Sequence, residues 1–405
     1  MIRSVARSIG ASQAVLALSV ARLGDALGNS ILFIILPLYV ARMPVHWFGI
    51  PETVRVGLLI SLYGLVNTAV QPAMGALSDR LGRRKVIIQA GLVLMAAATL
   101  GFIWARHYTD LFALRLLQGV AIGMTVPAAM GLMAMITVKE TRGGAMGVYS
   151  TTRMIGFGTG PLIGGFVYEQ FGFNAAFYTG AAFILLGLLL VQVWVHDVRV
   201  DPPPQTTGRF RVFDRELMSA GIFGAGFATF VMAADFSMLS TLENQFNARL
   251  EQTAFGFAVA FSALMVSRLL FQIPLGRVSD RVGRRPLIVA GLLLMAPATA
   301  LLGLVASTVQ LTGLRLVQGV ASACIAAPAF ALAADLSRSG GEGRQMSILT
   351  MGFGLGLALG PLAAGLLAVF FFELPFLVAG VVTLLAAAII FRYVPETVSQ
   401  TPVGE

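Results

Sequence analysis

Charge is scarce in this chain. Asp, Glu, Lys and Arg make up 12% of its 405 residues against 57% hydrophobic ones, and its mean hydropathy is +0.84. Soluble domains carry about 25% charged residues, so a soluble fold is excluded. Cysteine is nearly absent as well. Cys324 is the only one, which rules out an intramolecular disulfide, and its apolar surroundings make it a small hydrophobe. Histidine is confined to His46, His107 and His196, in connecting segments and without metal-ligand spacing. There is no GKS or GKT phosphate loop and no constellation of nucleophile and base. Neither ATP-driven work nor an enzyme is expected, and no metal or other cofactor.

What fills the chain is a series of apolar runs of about 20 residues, the length that crosses a bilayer as a helix. We read about twelve such spans, starting with 14–40 and 56–77. Spans 5, 6 and 7 fall at 145–168, 173–195 and 217–242, and spans 8 and 10 at 253–275 and 309–333. The expected fold is therefore all-α and integral to a membrane. Arg3 and Arg7 ahead of the first run resemble a signal peptide, but that run is too long and contains Arg22 and Asp25, so a retained first span is expected. The net charge is +9, and most Lys and Arg fall at the termini and in the even-numbered connections. By the positive-inside rule both termini are expected in the cytoplasm. The basic balance reads as topology, with anionic lipid headgroups as a partner and no role for nucleic acid.

The chain also repeats itself. Residues 75–85 read GALSDRLGRRK and residues 276–286 read GRVSDRVGRRP, half a chain further on. Arg115, Leu116, Gln118, Gly119 and Val120 return as Arg315, Leu316, Gln318, Gly319 and Val320, and Pro127 matches Pro328. That period is far longer than the 20 to 50 residues of a solenoid unit and implies a duplicated half. We expect a six-helix half over 1–195, a linker over 196–216 stiffened by Pro202, Pro203 and Pro204, and a second six-helix half over 217–405. In the repeated loop, Gly75 and Gly82 allow close approach and a tight turn. Asp79 and Asp280 are carboxylates that can accept from the free N–H groups of a neighbouring helix start. Arg80, Arg83, Arg84 and Arg284 set topology, and Arg142 and Arg344, in matching later loops, are candidate partners for the two carboxylates.

Charges inside spans carry the mechanistic inference, since each costs roughly 2.5 to 3.5 kcal/mol at a helix centre. They are Arg22 and Asp25 in span 1, Arg115 in span 4, Asp235 and Glu243 in span 7, Arg268 in span 8 and Arg315 in span 10. Asp25 lies about eleven residues into its span and Arg115 about six into its own from the other side, which brings both near mid-bilayer at a 1.5 Å rise. They are expected to pair. Desolvation and a nearby arginine act on a carboxyl's proton affinity in opposite senses, so moving the arginine between states can load and unload a proton. Asp235 is the second expected proton carrier, with Arg268 as its partner or as a ligand for an anionic substrate. Arg22, Asn29, Glu243, Arg268 and Arg315 are candidate cavity residues.

Together these motifs resemble the major facilitator superfamily over the whole chain. The repeated GALSDRLGRRK is similar to that family's signature between spans 2 and 3. Gly156, Gly160, Pro161, Gly164 and Gly165 fit the g-x-x-x-G-P-x-x-G-G pattern of span 5 associated with proton-driven antiporters. Leu111, Arg115, Gln118, Gly119 and Gly123 fit the span 4 pattern whose arginine serves proton coupling, and Asp25, Ala26, Leu27, Gly28 and Pro37 are similar to the first span of twelve-span drug:H+ antiporters. The resemblance implies two pseudosymmetric halves of six helices, with spans 1, 4, 7 and 10 around a central cavity. It also implies that Asp79 caps span 11, and by pseudosymmetry that Asp280 lies near the start of span 5, as a conformational latch. The glycine stripes, with Gly356, Gly360 and Pro361 in span 11, would be helix-packing surfaces. The function implied is proton-coupled export of lipophilic or amphiphilic compounds across the inner or plasma membrane by a monomer. Its partners would be a small-molecule substrate, protons and lipid. The rival is a carrier of a sugar or organic anion, with Arg115, Arg268 and Arg315 binding substrate.

Overall fold

The computed structural model describes residues 12–43, 49–196, 219–336 and 342–397, without the side chains of residues 79, 139, 140, 142, 143 and 342–347. The expected latch groups Asp79, Arg142 and Arg344, the linker from 197 on and the first eleven residues thus lie outside the description. The helices are α1 (Gln13–Ala41), α2 (Glu52–Leu81), α3 (Arg84–Gly101), α4 (Tyr108–Ile136), α5 (Lys139–Trp194), α6 (Ala220–Ser237), α7 (Glu243–Arg249), α8 (Ala254–Val282), α9 (Arg284–Ala300), α10 (Thr308–Asp335), α11 (Glu342–Leu367) and α12 (Leu374–Tyr393). No strand occurs among the described residues. Hydroxyl side chains at Ser12, Ser219, Thr253 and Ser307 accept from backbone N–H groups in the first turns of α1, α6, α8 and α10, satisfying donors that a helix start leaves free.

Among the described residues, eleven helices are long and apolar enough to cross a membrane. One of them, α5, spans 56 residues and is broken at Gly172, whose φ of 81° and ψ of −175° no other residue adopts readily. With its two arms counted separately the spans number twelve, and the chain is an all-α membrane protein. Span 7 runs further than its apolar stretch: α6 passes through a 3-10 segment, Met238–Leu242, into α7.

The chain divides into two units, one of Met1–Gly49 with Leu62–Thr207 and the other of Ile50–Ser61 with Gly208–Glu405. In the first, α1 lies along α5 and α3 packs on α4 around Leu18, Ile88, Leu92, Ile122 and Ile184. In the second, α6 lies along α11, α8 along α10, and α9 against α10 and α12, around Ile222, Ile288, Leu292, Ile325 and Ile390. The opening turns of α2 belong to this second unit, where Thr53 Oγ1 donates to Gly365 O at 2.9 Å.

Glycine makes the α1/α5 and α6/α11 contacts intimate. A Cβ at Gly156 would come within 2.6 Å of Ala26 Cβ, one at Gly160 would strike Ser30, and one at Gly164 would come within 3.0 Å of Ile31. Gly356 faces Phe230 and Ala233, and Gly360 faces Ala234 and Ser237. Gly165, Pro161 and Pro361 are buried beside these stripes.

Candidate functional site

Each unit buries a chain of polar side chains built on one plan. In the first, α1 presents Arg22, Asp25 and Asn29 along one face, at helical steps of three and four. Arg22 and Asp25 form an ion pair within that helix and are only 8% and 3% exposed. The Arg22 guanidinium also stands 5.9 Å from the Tyr149 ring centroid. The expected pairing of Asp25 with Arg115 is thereby corrected. Arg115 donates to Gln118 Oε1 at 3.1 Å and to Asn29 Oδ1 at 3.3 Å, with its guanidinium 5.5 Å from the Tyr63 ring centroid. Arg22, one turn before Asp25, reaches it without help from a second helix, and neutral amides hold Arg115 instead. Gln118 passes the chain on, donating through Nε2 to Thr99 Oγ1 at 3.0 Å.

The second unit repeats the motif with an acid added. Arg315 donates to Gln318 Oε1 at 2.9 Å, and Gln318 donates to Thr299 Oγ1 at 2.8 Å. Thr299 and Thr383 then donate to Asp235 Oδ2 at 3.2 and 3.0 Å. Arg268, expected as a partner of Asp235, is not one; two hydroxyls take that place.

The register explains why the acids are not equivalent. Ser30 Oγ donates to Gly156 O at 2.9 Å and Ser237 Oγ to Gly356 O at 3.4 Å, so Ser30 of α1 matches Ser237 of α6. Asp235 then falls where α1 carries Gly28, and Asp25 where α6 carries Met232. Two further candidates carry buried polar atoms that no close hydrogen bond satisfies among the described residues. Glu243 is 0% exposed and neither of its carboxylate oxygens is hydrogen-bonded. Arg268 is 8% exposed and its Nε has no acceptor. Sequence reasoning names Gln318 as part of a repeat and Gln118 as part of that repeat and of the span 4 pattern, and it misses Thr99, Thr299 and Thr383. The threonines Thr99 and Thr299 recur at nearly the same spacing as the repeated loop, which is the signal that marks them in the sequence.

In the second unit every side chain of the repeated loop is described. Asp280, expected near the start of span 5, pairs with Arg284 four residues on in its own loop. Arg284 also donates to Ser279 Oγ at 2.7 Å and to Asp335 Oδ2 at 3.3 Å. The backbone N–H groups of Arg284 and Arg285 donate to the two Glu396 oxygens, each at 2.9 Å, so a carboxylate from beyond α12 caps α9. Gly283 makes room for it with φ 112°; a Cβ there would come within 2.7 Å of Glu396 Oε2. In the first unit Arg80 and Arg83 are exposed, Arg84 is half-buried and Gly75 packs near Pro127. Glu396→Ala frees two helix-start donors and is expected to cost about 1 to 2 kcal/mol. The check is a melting temperature lowered by a few degrees in the purified protein.

A family model described as Major Facilitator Superfamily matches residues 18–268 and 221–405. The multi-drug resistance efflux pump PmrA of Streptococcus pneumoniae (strain ATCC BAA-334 / TIGR4) is 27% identical over 316 residues, 77% of this chain and 79% of that protein. The quinolone resistance protein NorA of Staphylococcus aureus (strain MRSA252) is 26% identical over 252 residues, 61% of this chain and 62% of that protein. Among solved structures, a bacterial homolog of the human lysosomal transporter Spinster superposes with a TM-score of 0.79 at 17% identity, covering 93% of this chain and 95% of that one.

Proposed function

The chain belongs to the major facilitator superfamily, the membrane transporters, and from that premise we propose that it is a proton-coupled antiporter exporting lipophilic or amphiphilic compounds. The names of the relatives, multi-drug resistance efflux pump and quinolone resistance protein, support the substrate class. The observation that carries the coupling is the Arg22–Asp25 pair, enclosed in α1 one turn before the Asn29 that receives Arg115. A buried ion pair is sensitive to its own charge balance, because removing one charge strands the other. Protonation of Asp25 would strand Arg22, and a cationic or polarisable substrate displaced from the site would be exchanged for that proton. Arg115 of α4, held by amides, bonds α1 at Asn29, one turn beyond Asp25, and would respond to the same change. Asp235, on its two threonines, is a second group able to take a proton, within the other unit.

The cycle is alternating access in the inner or plasma membrane, with a monomer whose termini face the cytoplasm. The driving force suffices: one charge moved across 100 mV contributes about 2.3 kcal/mol before any pH gradient is added. The test is efflux of tetraphenylphosphonium and of a neutral lipophilic dye from proteoliposomes under an imposed pH gradient. Efflux that rises with the gradient and stops when a protonophore is added is the expected result. Efflux indifferent to the gradient contradicts proton coupling, and no efflux of either compound contradicts the substrate class.

A further inference from the structure

On α8 the buried Arg268 and the half-buried Gln272 stand one helical turn apart with open hydrogen-bonding capacity. Arg268 Nε and Gln272 Oε1 are both buried and neither has a partner among the described residues. The rest of the helix around them is well held. Ser267 Oγ donates to Leu316 O at 2.8 Å, and Gly319 of α10 packs so closely on α8 that a Cβ there would come within 2.6 Å of Ser267 Cβ. Arg268 is thus fixed on a rigid helix pair.

The repeat supplies the comparison. Aligning Gly75 with Gly276 places Asn67 opposite Arg268 and Gln71 opposite Gln272. In the first unit that pair is closed: Gln71 Nε2 donates to Asn67 Oδ1 at 2.8 Å. The second unit keeps the glutamine and replaces the asparagine by arginine, which converts a self-satisfied neutral pair into an open, positively charged one. None of the other buried charges of the second unit is bonded to Arg268. Arg315 is held by Gln318 and the Phe236 carbonyl, Asp235 by Thr299 and Thr383, and Glu243 makes no ion pair with Arg268. Unlike Arg115 and Arg315, which amide oxygens hold, Arg268 has neither a counter-charge nor an amide, and an oxyanion from outside the chain would match its planar fork in two places. Gln272, a turn away, can bond a carbonyl or hydroxyl beside that anion.

We propose that Arg268 and Gln272 form a subsite for the carboxylate of an amphiphilic substrate. This rests on the reading of the chain as an exporter of lipophilic and amphiphilic compounds, and it adds, within that class, a preference for molecules bearing an acid group over their neutral counterparts.

The test uses the full chain in nanodiscs of zwitterionic lipid, with dansylaminoundecanoic acid and its primary amide as fluorescent probes. The wild type should prefer the acid to the amide by about tenfold or more, as expected when a charged partner is matched. Arg268→Asn rebuilds the closed pair of the first unit, should fold with an undiminished melting temperature, and should bring the ratio of the two affinities close to one. Gln272→Leu, which leaves the charge in place, should lower the ratio partway. A ratio unchanged in both variants overturns the proposal, as does a wild type without preference. Loss of the acid preference in nanodiscs containing phosphatidylglycerol also overturns it, since a lipid headgroup would then be the occupant. Tetraphenylphosphonium efflux by the wild type keeps these outcomes distinct from failure of the export reading: efflux with no acid preference sinks only the subsite.

Discussion

Asp25→Asn should reduce gradient-driven export to the leak level while leaving exchange of substrate across the membrane in place. The asparagine keeps an oxygen that Arg22 can still bond, so the α1 geometry survives, but the charge that a proton would neutralise is gone. Arg22 then carries its charge permanently unbalanced in a site where it is only 8% exposed. Breaking one side of such a pair costs about 3 to 5 kcal/mol in general, less where a hydrogen bond remains. The measurement is a pair of assays on one preparation: export under a pH gradient, and exchange of labelled for unlabelled substrate at equal pH. Loss of the first with retention of the second is expected. Full gradient-driven export by Asp25→Asn would remove Asp25 from the coupling step.

Gly360→Leu should prevent the second unit from folding. A Cβ alone at Gly360 would come within 2.6 Å of Ala234 O and 2.8 Å of Ser237 Oγ, and the first of these is backbone that cannot turn aside. Even Gly360→Ala must push α11 off α6, an overpacking cost of about 1 to 3 kcal/mol, and the leucine adds three more carbons to the same gap. The expected result is no monodisperse protein after purification for the leucine variant, and a lowered melting temperature for the alanine variant. A leucine variant that purifies and melts like the wild type would show that the two helices do not depend on this contact.

Both predictions draw on features of different legibility. The arginines Arg115 and Arg315, the glutamines beside them and the glycine stripes all recur in the sequence, and recurrence in an apolar run marks a residue that packing or charge requires. Sequence reasoning pairs Asp25 with Arg115, although Arg22 and Asp25 stand at i and i+3. Depth along a span drew Asp25 toward Arg115, and depth says nothing about which face of the helix a side chain occupies. Thr299 and Thr383 leave no charge signature, so the partners of Asp235 emerge only when three helices meet. Glu396 lies 112 residues from the helix start that it caps, a distance at which no local pattern operates. The apolar stretch of span 7 ends at 242 in the sequence, whereas the helix continues to Arg249 through a 3-10 turn. Conversely, Glu169 to Gly172 reads as a loop between spans 5 and 6, and the chain turns there through the single backbone angle of Gly172.

The most direct test of proton coupling is substrate-induced proton release from purified protein in liposomes with an entrapped pH dye. Wild type and Asp25→Asn are compared as tetraphenylphosphonium or a carboxylate-bearing amphiphile is added. Proton movement on addition to the wild type, absent in Asp25→Asn, is the predicted result. Equal proton movement in both proteins, or transport of either compound by the wild type with none, would contradict coupling through Asp25.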